Sequence, residues 1–449
     1  MHTKQWVRNS ALVALIFTLP VSAAAQSRYI IEATSGAVVS PVAAKYGLTV
    51  GKSWLTDKHT AFSATSATPL SAAAIRGIRS ERGVVEFEAD SALHSAESDP
   101  VSPPKPGTET LDEQLVARQP IRYFGSTVRA SYVDQPATRL IGLSAALQRY
   151  GAGAATVAVI DTGVDPKHPA LAPVLLPGYD FTRDLAGTAS ELADVTQSTV
   201  AILDQSTVAI LDAKQIPVRL NQSTVAILDQ STVAILDGSG LPKAFGHGTM
   251  VAGLVHLVAP TARILPLKAF HADGSASLSD IVRAIYYAVD RGASVISMSF
   301  SLKSPSQELQ DAINYATAKG AICVSSAGND GRETPVYPAA YRKVLSVGST
   351  NNSDRRSPFS NYGDFVRTAA PGEAMVTTYP GNNYAGVWGT SFSTGLVAGA
   401  VALMQQIHPG IRFGEVRDVL DKGARISQDM GDARLSLPPS LLACSQTQY

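Results

Sequence analysis

Charge and cysteine are both scarce in this chain. Of its 449 residues only 16% are Asp, Glu, Lys or Arg, the formal net charge is zero, and two residues are cysteine. Balanced charge without a basic patch argues against nucleic acid as a partner. Cys323 and Cys444 cannot form a disulfide scaffold, so the stability must come from a hydrophobic core. Two interpretations stay open for them: a single Cys323–Cys444 bridge, or two thiols packed in the core.

Apolar runs long enough to span a membrane are also missing. Lys4 and Arg8 precede an apolar run at 11–19, and small residues, VSAAA, follow it. This pattern predicts a secretory signal peptide over residues 1–25, with cleavage after Ala25. No later run reaches the roughly 18 to 20 apolar residues that a transmembrane helix needs. We therefore expect a secreted protein, extracellular or periplasmic, without a membrane anchor after the signal is removed.

Residues 26–92 have the pattern of a small α+β domain. Apolar alternation predicts the order strand, helix, strand, strand, helix, strand, with the strands RYIIEA, LTVGKSW, TAFSAT and VVEFEA. This order is that of a ferredoxin-like split βαβ sandwich. Residues 93–139 contain the run SDPVSPPKPGTET, whose composition predicts an exposed linker, followed by an N-terminal arm.

Residues 140–445 have the pattern of a larger α/β domain. Buried-strand segments such as TVAVID, SVISMSF and AICVSSAG alternate with amphipathic segments such as SDIVRAIYYAVDRG. This alternation predicts a mainly parallel central sheet with helices on both faces, a three-layer fold. In such sheets the chemistry lies at the carboxyl ends of the strands.

The octapeptide QSTVAILD interrupts this pattern inside an insertion at 190–240. It occurs four times, at 197–204, 205–212, 222–229 and 230–237. Its composition is strand-prone and uncharged. Two interpretations stay open: a tolerated tandem expansion in a surface loop, or a ribbon that contacts substrate or a partner. The TVAILD of each copy also closely resembles the strand TVAVID that ends at Asp161, so four aspartates rival it: Asp204, Asp212, Asp229 and Asp237.

Three polar residues have the character that acyl transfer requires. Asp161 ends a strand and is followed by a Thr-Gly turn, which the repeat aspartates lack. His247 lies between two glycines at the start of a helix pattern, and Ser391 opens another, where the helix dipole would stabilise an oxyanion. A serine hydroxyl needs a histidine base and a carboxylate that orients the histidine. The three residues therefore predict a catalytic triad.

Asn329 completes the set of candidate catalytic residues. It follows a strand and a glycine in SSAGND, and its side-chain amide could donate to the oxyanion. The segments VAVIDTGVD, GHGTMVAG, SSAGND and GTSFSTGLVAG resemble the signature segments of the subtilisin-like (subtilase) serine peptidases. Their order, Asp then His then Ser, is that of subtilisin. The resemblance covers about residues 140–425.

This resemblance implies a subtilisin-like fold and serine endopeptidase activity on proteins or peptides. It implies a monomer made as a self-processing zymogen, in which residues 26–92 are a propeptide that assists folding and blocks the cleft. Catalysis would need no metal or cofactor. A structural calcium ion stays possible, but Ala170 stands where many relatives have a ligand aspartate, so that calcium site is not predicted. In the helix that carries Ser391, Gly395 replaces a usual proline. The implied substrate-binding residues are Ser299, Phe300, Ser301, Ser326, Ala327 and Gly328.

Two other functions compete with this interpretation. A catalytically inactive relative acting as a binding module would have a substituted triad residue, and none is substituted. An esterase would carry G-x-S-x-G around its nucleophile, whereas this chain has GTSFS. The other polar residues near the motifs are expected to be structural, with Asp330 supporting Asn329; they are Asp165, His168, His256 and His271.

Overall fold

The computed structural model of the chain describes residues 26–95, 107–109, 111, 115, 118–187, 189–195, 226–227, 241–242 and 244–447. The predicted signal peptide, 1–25, lies outside these residues. So do most of the QSTVAILD repeats, of which the structure describes Ala226–Ile227. None of the described helices is both long enough and apolar enough to cross a membrane.

An N-terminal module follows the order of elements that the sequence predicts. Its elements are β1 (Ser27–Ala33), α1 (Gly36–Tyr46), β2 (Thr49–Leu55), β3 (Thr60–Ser66), α2 (Ala72–Arg79) and β4 (Val84–Ala89). The strands form an antiparallel sheet in the order β2-β3-β1-β4. Tyr29 and Ile31 of β1 pack with Phe87 of β4 in a core of the module's own.

The segment between this module and the large domain is more regular than its composition suggests. It contains β5 (Ala92–Ser95), β6 (Pro120–Tyr123), β7 (Ser126–Arg129), α3 (Ala130–Val133) and α4 (Pro136–Leu140). Two buried tyrosines explain the order in the arm. The hydroxyl of Tyr123 donates to the carbonyl oxygen of Leu257 at 2.5 Å, and that of Tyr132 donates to the carbonyl oxygen of Gly253 at 2.6 Å. These bonds attach the arm to the large domain.

The large domain is a three-layer α/β fold. Within the described residues, ten strands form one sheet in the order β10-β9-β12-β8-β14-β16-β17-β18-β22-β21. Neighbouring strands pair in parallel except at the two ends, β10 with β9 and β21 with β22. The predicted fold class is thereby confirmed. The elements are α5 (Leu143–Tyr150), β8 (Thr156–Asp161), β9 (Gly178–Asp180), β10 (Leu185–Gly187), β11 (Ala226–Ile227), α6 (His247–Val258), β12 (Arg263–Lys268), β13 (Ser275–Ser277), α7 (Leu278–Asp290), β14 (Val295–Met298), β15 (Phe300–Ser301), α8 (Gln307–Ala318), β16 (Ile322–Ser326), β17 (Val344–Thr350), β18 (Thr368–Pro371), β19 (Met375–Tyr379), β20 (Asn383–Val387), α9 (Thr390–Ile407), α10 (Phe413–Leu420), β21 (Ala424–Arg425), β22 (Ala433–Arg434) and α11 (Leu437–Gln446).

Strand β8 shows how the sheet divides the core. Val157 and Val159 pack on one face with α6 and α9, and Ala158 and Ile160 pack on the other with α7 and α8. A continuous apolar run is what a strand covered on both faces requires.

The two cysteines are buried and free, which removes the disulfide alternative. Each thiol packs against the core, Cys323 on one side of the sheet and Cys444 on the other. Burial raises the pKa of the Cys323 thiol to about 12 and that of the Cys444 thiol to about 11. Both therefore remain protonated at neutral pH and act as apolar packing groups.

The helices that carry His247 and Ser391 cross at glycines. A Cβ atom on Gly395 would lie 3.0 Å from Cβ of Leu254, and one on Gly399 would lie 2.7 Å from Cβ of Val258. The glycine that replaces the usual proline does not interrupt α9, which runs unbroken over Thr390–Ile407. The short distance between α6 and α9 thus depends on the missing side chains.

We expect the substitution Gly399→Ala to lower the free energy of unfolding by about 1 to 2 kcal/mol. Overpacking a core costs about 1 to 3 kcal/mol, whereas alanine in a helix gains up to about 1 kcal/mol over glycine. Urea unfolding in a Ser391→Ala background, which prevents self-digestion, measures the difference. Gly414→Ala in α10 is the control, because no atom lies within 4 Å of its Cβ position. Equal midpoints for the two variants would contradict the prediction.

Candidate active site

The carboxyl edge of the sheet brings Asp161 and His247 together. Asp161 is the last residue of β8 and His247 is the first residue of α6. Nδ1 of His247 lies 2.7 Å from Oδ1 of Asp161, and both side chains are buried. The backbone N–H of Thr162 donates to the same carboxylate oxygen at 2.7 Å. The carboxylate therefore fixes the orientation of the imidazole and the nitrogen that carries its proton.

Two glycines allow this close approach. Gly163 has a φ of +105°, which favours glycine, and a Cβ atom on Gly248 would lie 2.0 Å from the carbonyl oxygen of Gly163. The backbone N–H of Gly248 also donates to the hydroxyl of Thr162 at 2.9 Å. A side chain at position 248 would separate His247 from Asp161. The Thr-Gly turn and the Gly-His-Gly motif are thus the two halves of one backbone contact.

Ser391 joins the pair through the crossing of α6 and α9. It is the second residue of α9 and is buried. The ring of its neighbour Phe392 packs against the His247 ring, with centroids 5.6 Å apart. The hydroxyl of Ser299 donates to the carbonyl oxygen of Ser391 at 3.3 Å. The nucleophile candidate is thereby held between the imidazole and the strand that contains Phe300–Ser301.

Asn329 lies just beyond β16, with its side chain anchored to the start of α9. Its Oδ1 accepts hydrogen bonds from the backbone N–H of Thr390 at 3.0 Å and from the Thr390 hydroxyl at 2.8 Å. The Nδ2 amino group is therefore the donor end of this side chain, next to Ser391. Asn361 supports the loop, because its Oδ1 accepts from the N–H of Asp330 at 2.9 Å. Asp330, the residue expected from the sequence to support Asn329, contributes its backbone N–H here, and no local motif marks Asn361.

The sequence profile of the subtilase family matches residues 152–436. The chain belongs to the subtilase family. Members of this family are serine endopeptidases that need no cofactor for catalysis.

Individual relatives agree with this assignment. This subtilase is 34% identical over 284 residues to a thermophilic serine proteinase of Bacillus sp. (strain AK1), covering 61% of this chain and 57% of the relative. It is 37% identical over 188 residues to Subtilisin BL of Lederbergia lenta, covering 40% and 70%. It shares a fold with fervidolysin from Fervidobacterium pennivorans, a keratinolytic enzyme related to subtilisin, with a TM-score of 0.67 and 20% identity over 94% of this chain and 62% of that one. The chain thus spans less than two thirds of two of these proteins.

Strand β5 lies between two short strands of the large domain. It pairs antiparallel with β13 on one side and with β15 on the other, forming a three-stranded sheet. Three of the predicted substrate-binding residues lie beside it: Ser299, Phe300 and Ser301. The other three lie at the end of β16, in the loop that leads to Asn329: Ser326, Ala327 and Gly328. The predicted residues therefore converge on one edge of the sheet.

Glu191 lies beside the triad, although sequence analysis did not single it out. Its Oε2 accepts from the Thr162 hydroxyl at 2.9 Å and from the N–H of Gly246 at 2.8 Å. Its Oε1 accepts from the N–H of Thr249 at 3.2 Å and from the Thr249 hydroxyl. Burial raises the pKa of Glu191 to about 7, and the hydrogen bonds from the two threonines oppose this rise. The partners are 29 to 58 positions away, so no local motif marks this residue.

The other polar residues near the motifs are structural. Burial lowers the pKa of His168 and that of His256 to about 4, so both imidazoles are neutral at pH 7. Asp165 shapes a turn, as expected, because its carboxylate accepts from the backbone N–H groups of Lys167 and Gly381. Among the residues that the structure describes, no group of three or more His, Cys, Asp or Glu side chains could hold a metal ion.

Proposed function

We propose that this chain is a secreted serine endopeptidase that is made as a self-processing zymogen. The observation that carries the proposal is the 2.7 Å bond between His247 and Asp161 beside Ser391 at a helix N-terminus. The order of these residues and the subtilase match support the same reaction. Lys4, Arg8 and the apolar run before Ala25 support secretion.

In this mechanism Oγ of Ser391 attacks the carbonyl carbon of a peptide bond while Nε2 of His247 takes the hydroxyl proton. The oxyanion that forms accepts hydrogen bonds from Nδ2 of Asn329 and the backbone N–H of Ser391. The C–N bond then breaks, and His247 gives its proton to the leaving amine. Water repeats these steps on the acyl-enzyme, which releases the acid and restores Ser391. Asp161 orients the imidazole and stabilises its charged form.

Two carboxylates of the N-terminal module support a role for it as an inhibitory propeptide. Asp90 accepts from the N–H of Ser279 at 2.9 Å and from its hydroxyl at 2.8 Å, in the first turn of α7. Glu88 accepts from the Ser306 hydroxyl at 2.6 Å and from the first two backbone amides of α8, each at 3.3 Å. Negative charge at a helix N-terminus is stabilising. The module is thus bound across the start of two helices of the large domain.

The register of β5 supports a specific maturation bond. Ser301 pairs with His94 and Phe300 pairs with Ser95, so the chain leads towards Ser299. The Ser299 hydroxyl bonds to the carbonyl of Ser391. The next residue of the chain, Ala96, is therefore our proposed acyl donor, and the Ala96–Glu97 bond is the proposed site of cleavage. The propeptide would then end at Ala96, four residues beyond the boundary expected from composition.

The experiment that tests the proposal follows maturation and casein hydrolysis by the full chain. We expect the parent protein to release a mature form whose N-terminus is Glu97, seen by intact mass and N-terminal sequencing, and to digest casein. A fluorophosphonate probe should label Ser391. The variant Ser391→Ala should keep its propeptide, leave casein intact and resist the label. Ser393→Ala is the matched control and should retain activity, because the Ser393 hydroxyl donates to the carbonyl of Ala370.

Other outcomes are equally informative. Trimming of the Ser391→Ala variant alone in solution would assign maturation to a contaminating protease. A folded parent that neither matures nor digests casein would refute the endopeptidase and favour a binding module. A different mature N-terminus with full activity would contradict the Ala96–Glu97 assignment alone.

A further inference from the structure

A short turn that precedes the first QSTVAILD copy is anchored beside the triad. We call residues 190–194 the Glu191 turn; its 3-10 helix spans Glu191–Asp194. The carboxylate of Asp194 accepts from Nζ of Lys268 at 2.6 Å and from the N–H of Ala272 at 2.7 Å. Burial alone would raise the pKa of Asp194, but the charges of Lys268 and Arg183 outweigh it and lower the value. This ion pair fixes the turn to the end of β12.

Glu191 is the acceptor in all four of its hydrogen bonds. The Thr162 hydroxyl accepts from the N–H of Gly248 at 2.9 Å, so its own proton is directed to Glu191. The Thr249 hydroxyl accepts from the N–H of Asp165 at 2.8 Å and likewise donates to Glu191. Four donors therefore meet one carboxylate. Thr162 follows Asp161 in the chain, while Gly246 and Thr249 flank His247.

We propose that Glu191 is a positioning residue that ties the strand end carrying Asp161 to the helix start carrying His247. Its carboxylate accepts two hydrogen bonds on each oxygen and so sets the distance between the two catalytic residues. The kinetic part of this inference rests on the proposed endopeptidase function; its structural part does not.

The four donors suit the ionised carboxylate, while burial opposes ionisation and raises the pKa of Glu191 to about 7, so its charge is fully present only above that pH. A glutamine would present an NH₂ group to one pair of donors and leave buried N–H or O–H groups unpaired. The titratable groups that interact electrostatically with Glu191 are Asp161, Lys268 and Tyr379, and His247 follows Gly246, whose N–H donates to Glu191. Burial and the Glu191 charge raise the pKa of Tyr379, which stays neutral, while Lys268 partly balances the two carboxylates. The negative charge of Glu191 also favours the imidazolium that forms during catalysis.

Glu191→Gln tests the proposal, with Glu373→Gln as the matched control. Glu373 is also a buried carboxylate with hydrogen bonds from several donors, but its partners are Thr108 and Glu109. We expect Glu191→Gln to lower kcat per titrated active site about 10- to 100-fold, with KM within about twofold of the parent. The acid limb of the kcat profile should move to lower pH by less than one unit, because Glu191, with a pKa of about 7, is only partly charged in that range and this partial charge is lost. Glu373→Gln should keep both kcat and the limb.

A conservative pair distinguishes the hydroxyl contact from packing. Thr249→Ser keeps the hydroxyl that donates to Glu191 and should keep most of the activity, whereas Thr249→Val should reproduce part of the loss seen with Glu191→Gln. If Glu191→Gln matches the parent in kcat and in its acid limb, the inference is wrong.

An NMR measurement tests the inference independently of turnover. In the Ser391→Ala background, the low-field proton between His247 and Asp161 reports their hydrogen bond directly. We expect this resonance to shift or broaden in the Glu191→Gln variant and to stay unchanged in the Glu373→Gln variant. An inactive parent protein would refute the proposed function, yet the resonance would still decide the role of Glu191. An unchanged resonance in the Glu191→Gln variant would overturn the inference.

Discussion

Asp161→Asn is expected to lower kcat by about 10⁴-fold while leaving the fold intact. The amide has nearly the shape of the carboxylate but lacks its charge. Its NH₂ group would favour the wrong tautomer of His247, and the imidazolium would lose its stabilising partner. Asp161 bonds to Nδ1 at 2.7 Å, so the substitution acts directly at that nitrogen. The measurement is kcat on a chromogenic peptide, normalised by circular dichroism to the folded fraction.

The repeats provide matched controls for this substitution. Asp204, Asp212, Asp229 and Asp237 each end a TVAILD segment that differs from TVAVID at two residues. Changing each of them to asparagine should leave kcat within about twofold of the parent, because the hydrogen bond to Nδ1 of His247 comes from Asp161. If one of these variants lost kcat about 10⁴-fold while Asp161→Asn stayed active, that repeat aspartate would be the catalytic one, and the assignment of Asp161 would be wrong.

The contact between Asp161 and His247 could be predicted because both residues carry local marks in the sequence. The Thr-Gly turn after Asp161 and the glycines around His247 allow two backbone segments to come into contact. A Cβ atom on Gly248 would clash with the backbone of Gly163. Backbone constraints of this kind leave a pattern in a few adjacent letters. The central sheet could also be predicted, because strands buried on both faces, such as β8, have continuous apolar sequences.

Glu191 and Asn361 could not be predicted, because each acts through side-chain contacts with residues far along the chain. Glu191 reaches Thr249 across 58 positions, with most of the repeat insertion between them. The local sequence ELAD does not indicate whether its glutamate is buried or exposed to solvent. Its role depends on which donors the fold brings to it. The roles of Glu191 and Asn361 can be recognised only in the folded structure, where the parallel sheet brings the strand ends together.

Strand β5 could not be predicted from the sequence either. Its residues fell in a segment interpreted as a linker, and nothing in the letters of Ala92–Ser95 marks a strand. Residues 92–95 form a strand because the large domain provides a backbone hydrogen-bonding partner on each side, β13 and β15. An extended segment between two edge strands gains its structure from pairing, not from its own propensity.

Asn329→Asp is expected to lower kcat by about 10²- to 10³-fold, with KM little changed. An aspartate oxygen can still accept from the N–H and the hydroxyl of Thr390, so the loop and the start of α9 should keep their geometry. What is lost is the Nδ2 donor, and a negative charge takes its place beside the developing oxyanion. Removing one such donor costs about 3 to 4 kcal/mol in the transition state but little in the ground state.

The control for this prediction is Asn329→Ala, which removes both ends of the side chain. It should lose a similar factor in kcat and also lower the melting temperature, since Thr390 loses its acceptor. Asn329→Asp should melt close to the parent, so the comparison separates the donor from the anchor. If Asn329→Asp keeps kcat within about threefold, the oxyanion depends on backbone N–H groups alone, and Asn329 serves only to hold the first turn of the helix that carries Ser391.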